Sequence, residues 1–188
     1  MSNYLTSGYP TKVKVGEELF EITTNYRDCI KVLLALDDDD LTNFEKQSIL
    51  LQIMYRQVPA NIEMAIQKVL LFLNCGVEEM QGSGMKVYSF CQDDKYIFSA
   101  VDQVLQGRLS LGEAVHWWEF VSAFMEMPDD CVMSKIIYYR MRYAAGKLTK
   151  EENEIWRKNR KLFLLDIKES NEDVNSRNEF MNRLYGRY

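Results

Sequence analysis

The only histidine of this 188-residue chain, His116, lies in the run VHWWEF between Glu113 and Glu119, each three residues away. On a helix that spacing brings a carboxylate within reach of the imidazole, and a His–Glu pair is the smallest unit of general-base chemistry. The rest of such a site is missing. No Ser or Cys stands at a nucleophile spacing, and no second histidine is present for a metal. His116 therefore reads as structural. Asp93 and Asp94 would work as paired acid and base only if they faced each other, yet adjacent helix positions point about 100° apart. They read as first-turn charges complementing a helix dipole. Asp37–Asp40 offers oxygen ligands to a hard cation but lacks the alternating spacing and closing Glu of a calcium loop, and reads as a solvated helix end. Gly82-Ser83-Gly84 is short of a dinucleotide loop, no GxxxxGK[ST] occurs, and the stretch MQGSGMK reads as a connector. Cys29, Cys75, Cys91 and Cys131 form no CxxC pair, which points to reduced, buried thiols. No catalytic residue, cofactor site or metal site is assigned, and the expectation is that the protein is not an enzyme.

Charge supplies the next candidate. The chain carries a net charge of −5, so the molecule as a whole is no polyanion binder. Between Lys135 and Phe163, however, nine basic residues (Lys135, Arg140, Arg142, Lys147, Lys150, Arg157, Lys158, Arg160, Lys161) face three acids, a local charge of +6 against −11 for the remainder. Tyr138, Tyr139, Tyr143 and Trp156 are interleaved with them, a pattern that suits single-stranded nucleic acid. The competing reading is amphipathic helices with aromatics inward and charges outward, and it is preferred: Ile136, Tyr139 and Tyr143 share a face from which Arg140 turns aside. The outward cations then form a candidate basic face for an acidic protein partner.

These residues need elements to hold them. The fold expected is mainly α, with six to seven packed helices after a short N-terminal β-hairpin within residues 1–24. Val13 and Val15 alternate with lysines, Gly16 and Glu17 can turn, and Phe20 and Ile22 alternate again. The period then changes to 3.6, with Tyr26, Cys29, Ile30, Leu33 and Leu34 on one stripe after an N-cap at Asn25 or Thr24. Ser or Thr followed three residues later by Glu or Gln marks helix starts at Thr42/Glu45, Ser89/Gln92, Ser110/Glu113 and Thr149/Glu152. Another helix follows Pro59 and stops at Gly76. A helix over Leu111–Met127 would be apolar on nearly every side, which marks it as central, with Trp117, Trp118, Phe120 and Phe124 as the hub of the core. A single helical domain is expected over 1–165. The polar stretch 166–188 carries only thin apolar content (Val174, Phe180, Met181, Leu184) and reads as a tail that is either flexible or partner-dependent. No leader segment and no apolar run of ~18 residues is apparent.

Several stretches, taken in order, resemble one family: YPTKVKVG with FEITTNYRD, PANIEMAIQKVLLFLNCG, VYSFCQDDKYIFSA, HWWEFVSAF and SKIIYYR. The resemblance is to the small phage protein family named for gene product fifteen of a phage of Gram-positive hosts. It covers Tyr4 to Leu165. Asn25 and Ser89 depart from the Asp more usual in that family, and both still suit a helix cap. The resemblance implies a gene in the tail-morphogenesis block, close upstream of the tape-measure gene, and hence a tail assembly chaperone. Such a chaperone would bind the tape-measure protein, and with it the tail tube protein, in the host bacterial cytoplasm. It would be absent from the mature virion, and association with further copies of itself is compatible with the role. A structural tail component and a single-stranded nucleic-acid binder are the alternatives.

Overall fold

The computed structural model describes residues 4–77 and 86–165. In chain order its elements are α1 (Tyr4–Ser7), β1 (Lys12–Val15), β2 (Glu18–Glu21), α2 (Tyr26–Leu36), α3 (Asn43–Met54), α4 (Ile62–Leu73), α5 (Asp94–Val104), α6 (Trp117–Met125), α7 (Val132–Ala144), α8 (Lys150–Lys158) and α9 (Arg160–Phe163). The architecture is mainly α as expected, with seven helices of nine residues or more behind the hairpin. The connector at 82–84 and the tail at 166–188 lie outside the described residues.

β1 and β2 pair antiparallel, with Val13 opposite Phe20 and Val15 opposite Glu18. Gly16, at φ 63°, opens the two-residue turn, a left-handed conformation that glycine adopts without a Cβ penalty. The hairpin rests on α4, where the Gly16 N–H reaches the Met64 sulfur at 3.0 Å. The extended residues after β2 tie two distant elements together. Thr23 donates to the Met54 carbonyl through its N–H (2.8 Å) and to Ile53 through its hydroxyl (2.8 Å). Tyr26 N–H donates to Val115 O (3.1 Å) and Trp117 N–H to Thr24 O (2.7 Å). The end of α3 and the start of α6 are thereby joined before α2 begins.

Local start signals decide some helices and not others. The Asn25 side chain accepts from Arg27 N–H and caps α2, and Thr42/Glu45 and Thr149/Glu152 form full reciprocal boxes. Ser89 makes half of one: its hydroxyl accepts from Gln92 N–H (3.3 Å), but the carboxylate that returns to Ser89 N–H belongs to Asp93 (2.9 Å). At Ser110 the expected box does not form. The Ser110 hydroxyl and N–H both go to Asp102, and Glu113 pairs with Arg108 at 2.9 Å. With Gln106, Gly107 and Gly112 all at positive φ, no helix can start at Leu111, and α6 begins at Trp117 instead. Leu111 and Met125, which the expected central helix over Leu111–Met127 would carry, are 75% and 78% exposed. On α2 the buried positions are Tyr26, Cys29 and Val32 rather than a face running on to Leu34. α4 closes as a Schellman motif, Gly76 N–H donating to Leu71 O and Cys75 N–H to Phe72 O, with Cys75 itself at φ 53°.

α2 packs on α3 and α6, α5 on α6 and α7, and α9 on α7 and α8. The centre is aromatic. Trp117, Trp118 and Phe120 are buried, and Phe124 is half-buried against Tyr88. Phe120 stacks on Tyr26 (4.8 Å between ring centres) and on Trp117 (5.7 Å).

Candidate partner-binding groove

VHWWEF holds the fold together at two helix ends. His116 is the N-cap of α6: its Nδ1 accepts from Trp118 N–H at 3.1 Å, while Nε2 lies 3.0 Å from Pro10 O and donates to it in the neutral ring. The two adjoining indoles reach across to the C-terminus of α4, Trp117 Nε1 donating to Leu73 O and Trp118 Nε1 to Phe72 O, both at 2.8 Å. They occupy carbonyls that a helix end leaves without an intrahelical donor. The expected His–Glu pairs are not made, because Glu113 and Glu119 both bind Arg108.

Burial pulls the His116 pKa below its ordinary 6.5, against smaller opposing effects of the Pro10 hydrogen bond and Glu119. A base whose folded pKa is depressed takes up its proton more readily in the unfolded chain, so folding weakens as pH falls below the unfolded value. Protonation would also remove the acceptor that caps α6. Stability is therefore expected to fall from about pH 6.5 downward. His116→Asn keeps a capping oxygen and removes that loss. Urea midpoints between about pH 7.5 and about pH 5.5 check both statements. Glu45, held below the usual carboxylate range by the Thr42 hydroxyl, responds only in a lower window, below about 4.5.

The basic stretch separates into two groups. Arg140 does not turn to solvent. It is buried and forms a bidentate pair with Asp93 (2.6 and 2.9 Å), donating as well to Phe163 O, Leu162 O and Val87 O. Asp93 is equally buried, not an exposed first-turn charge. The reason is angular: Met133, Ile136 and Arg140 form the buried face of α7, and Tyr143, expected inside, is half exposed. Arg142 binds Glu152 at 3.0 Å and covers the Tyr138 ring. Lys135, Lys147, Arg157, Lys158, Arg160 and Lys161 remain exposed. The aromatics among them stack on the protein's own rings, Tyr143 on Trp156 (4.1 Å), Tyr139 on Phe163 (4.7 Å) and Trp156 on Phe163 (5.3 Å).

An apolar trough runs along α2. Its larger part, about 860 Å³, is lined by Leu33 and Leu36 of α2, Leu70 and Leu71 of α4, and Tyr88 and Phe90. Asp37, Lys68 and Lys86 stand at its polar margin. A second part, about 350 Å³, lies between Tyr26 and Ile30 of α2 and Ile97 and Phe98 of α5. Phe90 lines both and divides them. The residues of α2 that line one part or the other run from Tyr26 to Leu36, and its C-cap Asp37 follows. Sequence reasoning misses it, although one signal is present. Leu70, Leu71, Phe72 and Leu73 are consecutive, and four adjacent residues of a helix cannot all face inward; Phe72 and Leu73 are buried and Leu70 is 43% exposed.

Among the described residues, no group of three His, Cys, Asp or Glu is placed to hold a metal ion. Every buried side-chain polar atom among them has a partner. Burial pushes the Cys29 thiol up to about 12 and Cys75 up to about 11. Cys131 caps α7 through Ser134 N–H. Cys91 is exposed, unlike the buried thiols expected. No helix of the described residues is long and apolar enough to cross a membrane.

The family model for the Bacteriophage Gp15 protein matches residues 5–165. No curated protein matches the chain, and no solved structure matches it. The matched family is one of phage structural and morphogenesis proteins. The match runs from α1 to the second residue after α9 and takes in the hairpin, all three tryptophans and the whole trough, and the chain belongs to the bacteriophage Gp15 protein family.

Proposed function

We propose that this phage morphogenesis protein is a tail assembly chaperone that binds the tape-measure protein and keeps it soluble until tube subunits polymerise around it. The observation that carries the reading is the two-part apolar trough along α2. A tape measure is a long helical chain, and its apolar stripes aggregate if left exposed. A helix laid in an apolar groove uses anchors at i, i+4 and i+7, and the two parts offer such anchors seats on either side of Phe90. The exposed cations, Lys135, Lys147, Arg157, Lys158, Arg160 and Lys161, steer an acidic segment of the client or the tube protein toward it. The protein acts in the host bacterial cytoplasm and leaves before the particle is complete.

The test is a pull-down of the tagged full chain from phage-producing cells, with mass spectrometry of the partners, beside a Leu70→Arg variant. Leu70 is part-exposed at the trough wall, so the change alters the surface and spares the core. Tape-measure protein is expected with the unaltered chain and at least ~10-fold less with the variant. Recovery of intact tail components without free tape measure, or a fixed copy number in purified virions, would identify a structural tail protein. Retention of single-stranded DNA at low salt, lost steeply as salt rises, would identify a nucleic-acid binder. Either result overturns the chaperone reading.

A further inference from the structure

We infer that the smaller part of the trough is a seat for one aromatic side chain of a protein partner, an indole or phenol that brings its own hydrogen-bond donor. The inference rests on the chaperone reading only for which protein presents that side chain.

The seat follows from how three helices meet. α2 and α5 each pack on α6, and the depression is the gap between them. Tyr26 and Ile30 stand one turn apart on α2, Asp94, Ile97 and Phe98 share one side of α5, and Phe120 of α6 completes the lining with Phe90. Its volume, about 350 Å³, is at the small end for ligand pockets. That is room for one large side chain and not for a length of helix.

The rings select the kind of side chain. Phe120 is stacked on Tyr26 and on Trp117, and the Arg27 guanidinium lies over the Tyr26 ring at 4.8 Å. With their faces so occupied, Tyr26 and Phe120 offer the gap their edges, the positive part of an aromatic ring. Positive edges repel a cationic side chain and attract the negative face of another ring. Phe98, 41% exposed and in no ring contact among the described residues, stands on the opposite wall.

Asp94 adds the demand for a donor. It is exposed at the lip, where one carboxylate oxygen accepts from Lys95 N–H at 2.6 Å and the other has no partner among the described residues. The Lys95 ammonium is drawn away over the Tyr96 ring, at 4.9 Å. An indole or phenol joins a ring face to a polar hydrogen that needs an acceptor when buried, and such side chains are the usual anchors of protein interfaces. The same carboxylate repels phosphate, which favours a protein side chain over a nucleobase.

Amide chemical shifts of the full chain, titrated with N-acetyl-tryptophanamide, N-acetyl-phenylalaninamide and N-acetyl-leucinamide, test the assignment. The tryptophan probe should move the amides of Tyr26, Ile30, Ile97 and Phe98 with a Kd on the order of 1 mM, and the leucine probe should bind about fivefold more weakly. Asp94→Ala should reduce the tryptophan probe to the level of the phenylalanine probe and leave the latter unchanged. Phe98→Ala should weaken both aromatic probes. Asp94 and Phe98 are exposed, and unchanged thermal midpoints check that both variants stay folded. No shift at these amides, equal binding of the leucine and tryptophan probes, or a preference for tryptophan that survives Asp94→Ala overturns the inference. Tighter binding of oligothymidylate at the same amides overturns it as well, since the pocket would then be a nucleobase seat. No probe bound while tape measure is still captured would remove the seat and leave the chaperone reading standing. The expected titrations with no tape measure captured would do the reverse.

Discussion

Replacing Asp93 by Ala is expected to lower the unfolding free energy by about 3–5 kcal/mol, because it strands a buried guanidinium. The side chains of Arg140 and Asp93 are only 4% and 1% exposed. Neither replacement leaves the survivor in an equal position. Without Asp93, Arg140 keeps the carbonyls of Phe163, Leu162 and Val87. Without Arg140, the Asp93 carboxylate keeps the Ser89 N–H and has lost the cation it is paired with, so Arg140→Ala should be the more damaging. It also releases the backbone of α9 and of Val87, three attachments that no side chain at position 93 supplies. Arg140→Lys keeps the charge but not the planar fork, and should recover little. The double change Asp93→Leu/Arg140→Met should cost less than either single truncation, since no charge is left buried without a partner. Urea unfolding with a fixed slope settles the order. If Asp93→Ala costs under about 1 kcal/mol, the pair is solvated and the assignment is wrong.

This pair marks where sequence reasoning stops. From sequence, Asp93 and Arg140 both read as solvated charges. A period of 3.6 allows Ile136 to be continued by Tyr139 or by Arg140, and aromatic character favours the first choice. The carboxylate that makes the second choice viable lies 47 residues away, and no local rule connects them. Signals closed within one helical turn are legible, as at Asn25, Thr42/Glu45 and Thr149/Glu152. Ser110/Glu113 has the same letters and fails, because Asp102 and Arg108 offer each residue a stronger partner. The hairpin is legible because its alternation and turn glycine are local. The trough is not, since its walls come from α2, α4, α5 and the residues around Phe90, and only folding puts those in one place.

The second large effect is expected at Trp117. Trp117→Ala should destabilise by about 3–5 kcal/mol, the range for emptying a large aromatic from a packed core. Trp117 is 3% exposed, stacks on Phe120 and approaches Phe90 at 6.3 Å. Area alone does not explain why a tryptophan stands there. Trp117→Phe keeps much of the ring and removes the donor to Leu73 O, so it should cost about 1–3 kcal/mol from that carbonyl's lost partner. Trp118→Phe makes the same chemical change at Phe72 O, but that carbonyl retains Cys75 N–H. It should therefore be the milder of the two. Thermal and urea unfolding of the pair separate hydrogen bonding from packing, because a purely apolar account ranks them by burial, where 3% against 8% predicts nearly equal losses. The consequence reaches the trough as well. Trp117 backs onto Phe90 and secures the end of α4 that carries Leu70 and Leu71, so Trp117→Ala should weaken client capture even at a temperature where the chain stays folded. Trp118→Phe leaves both supports in place and should not.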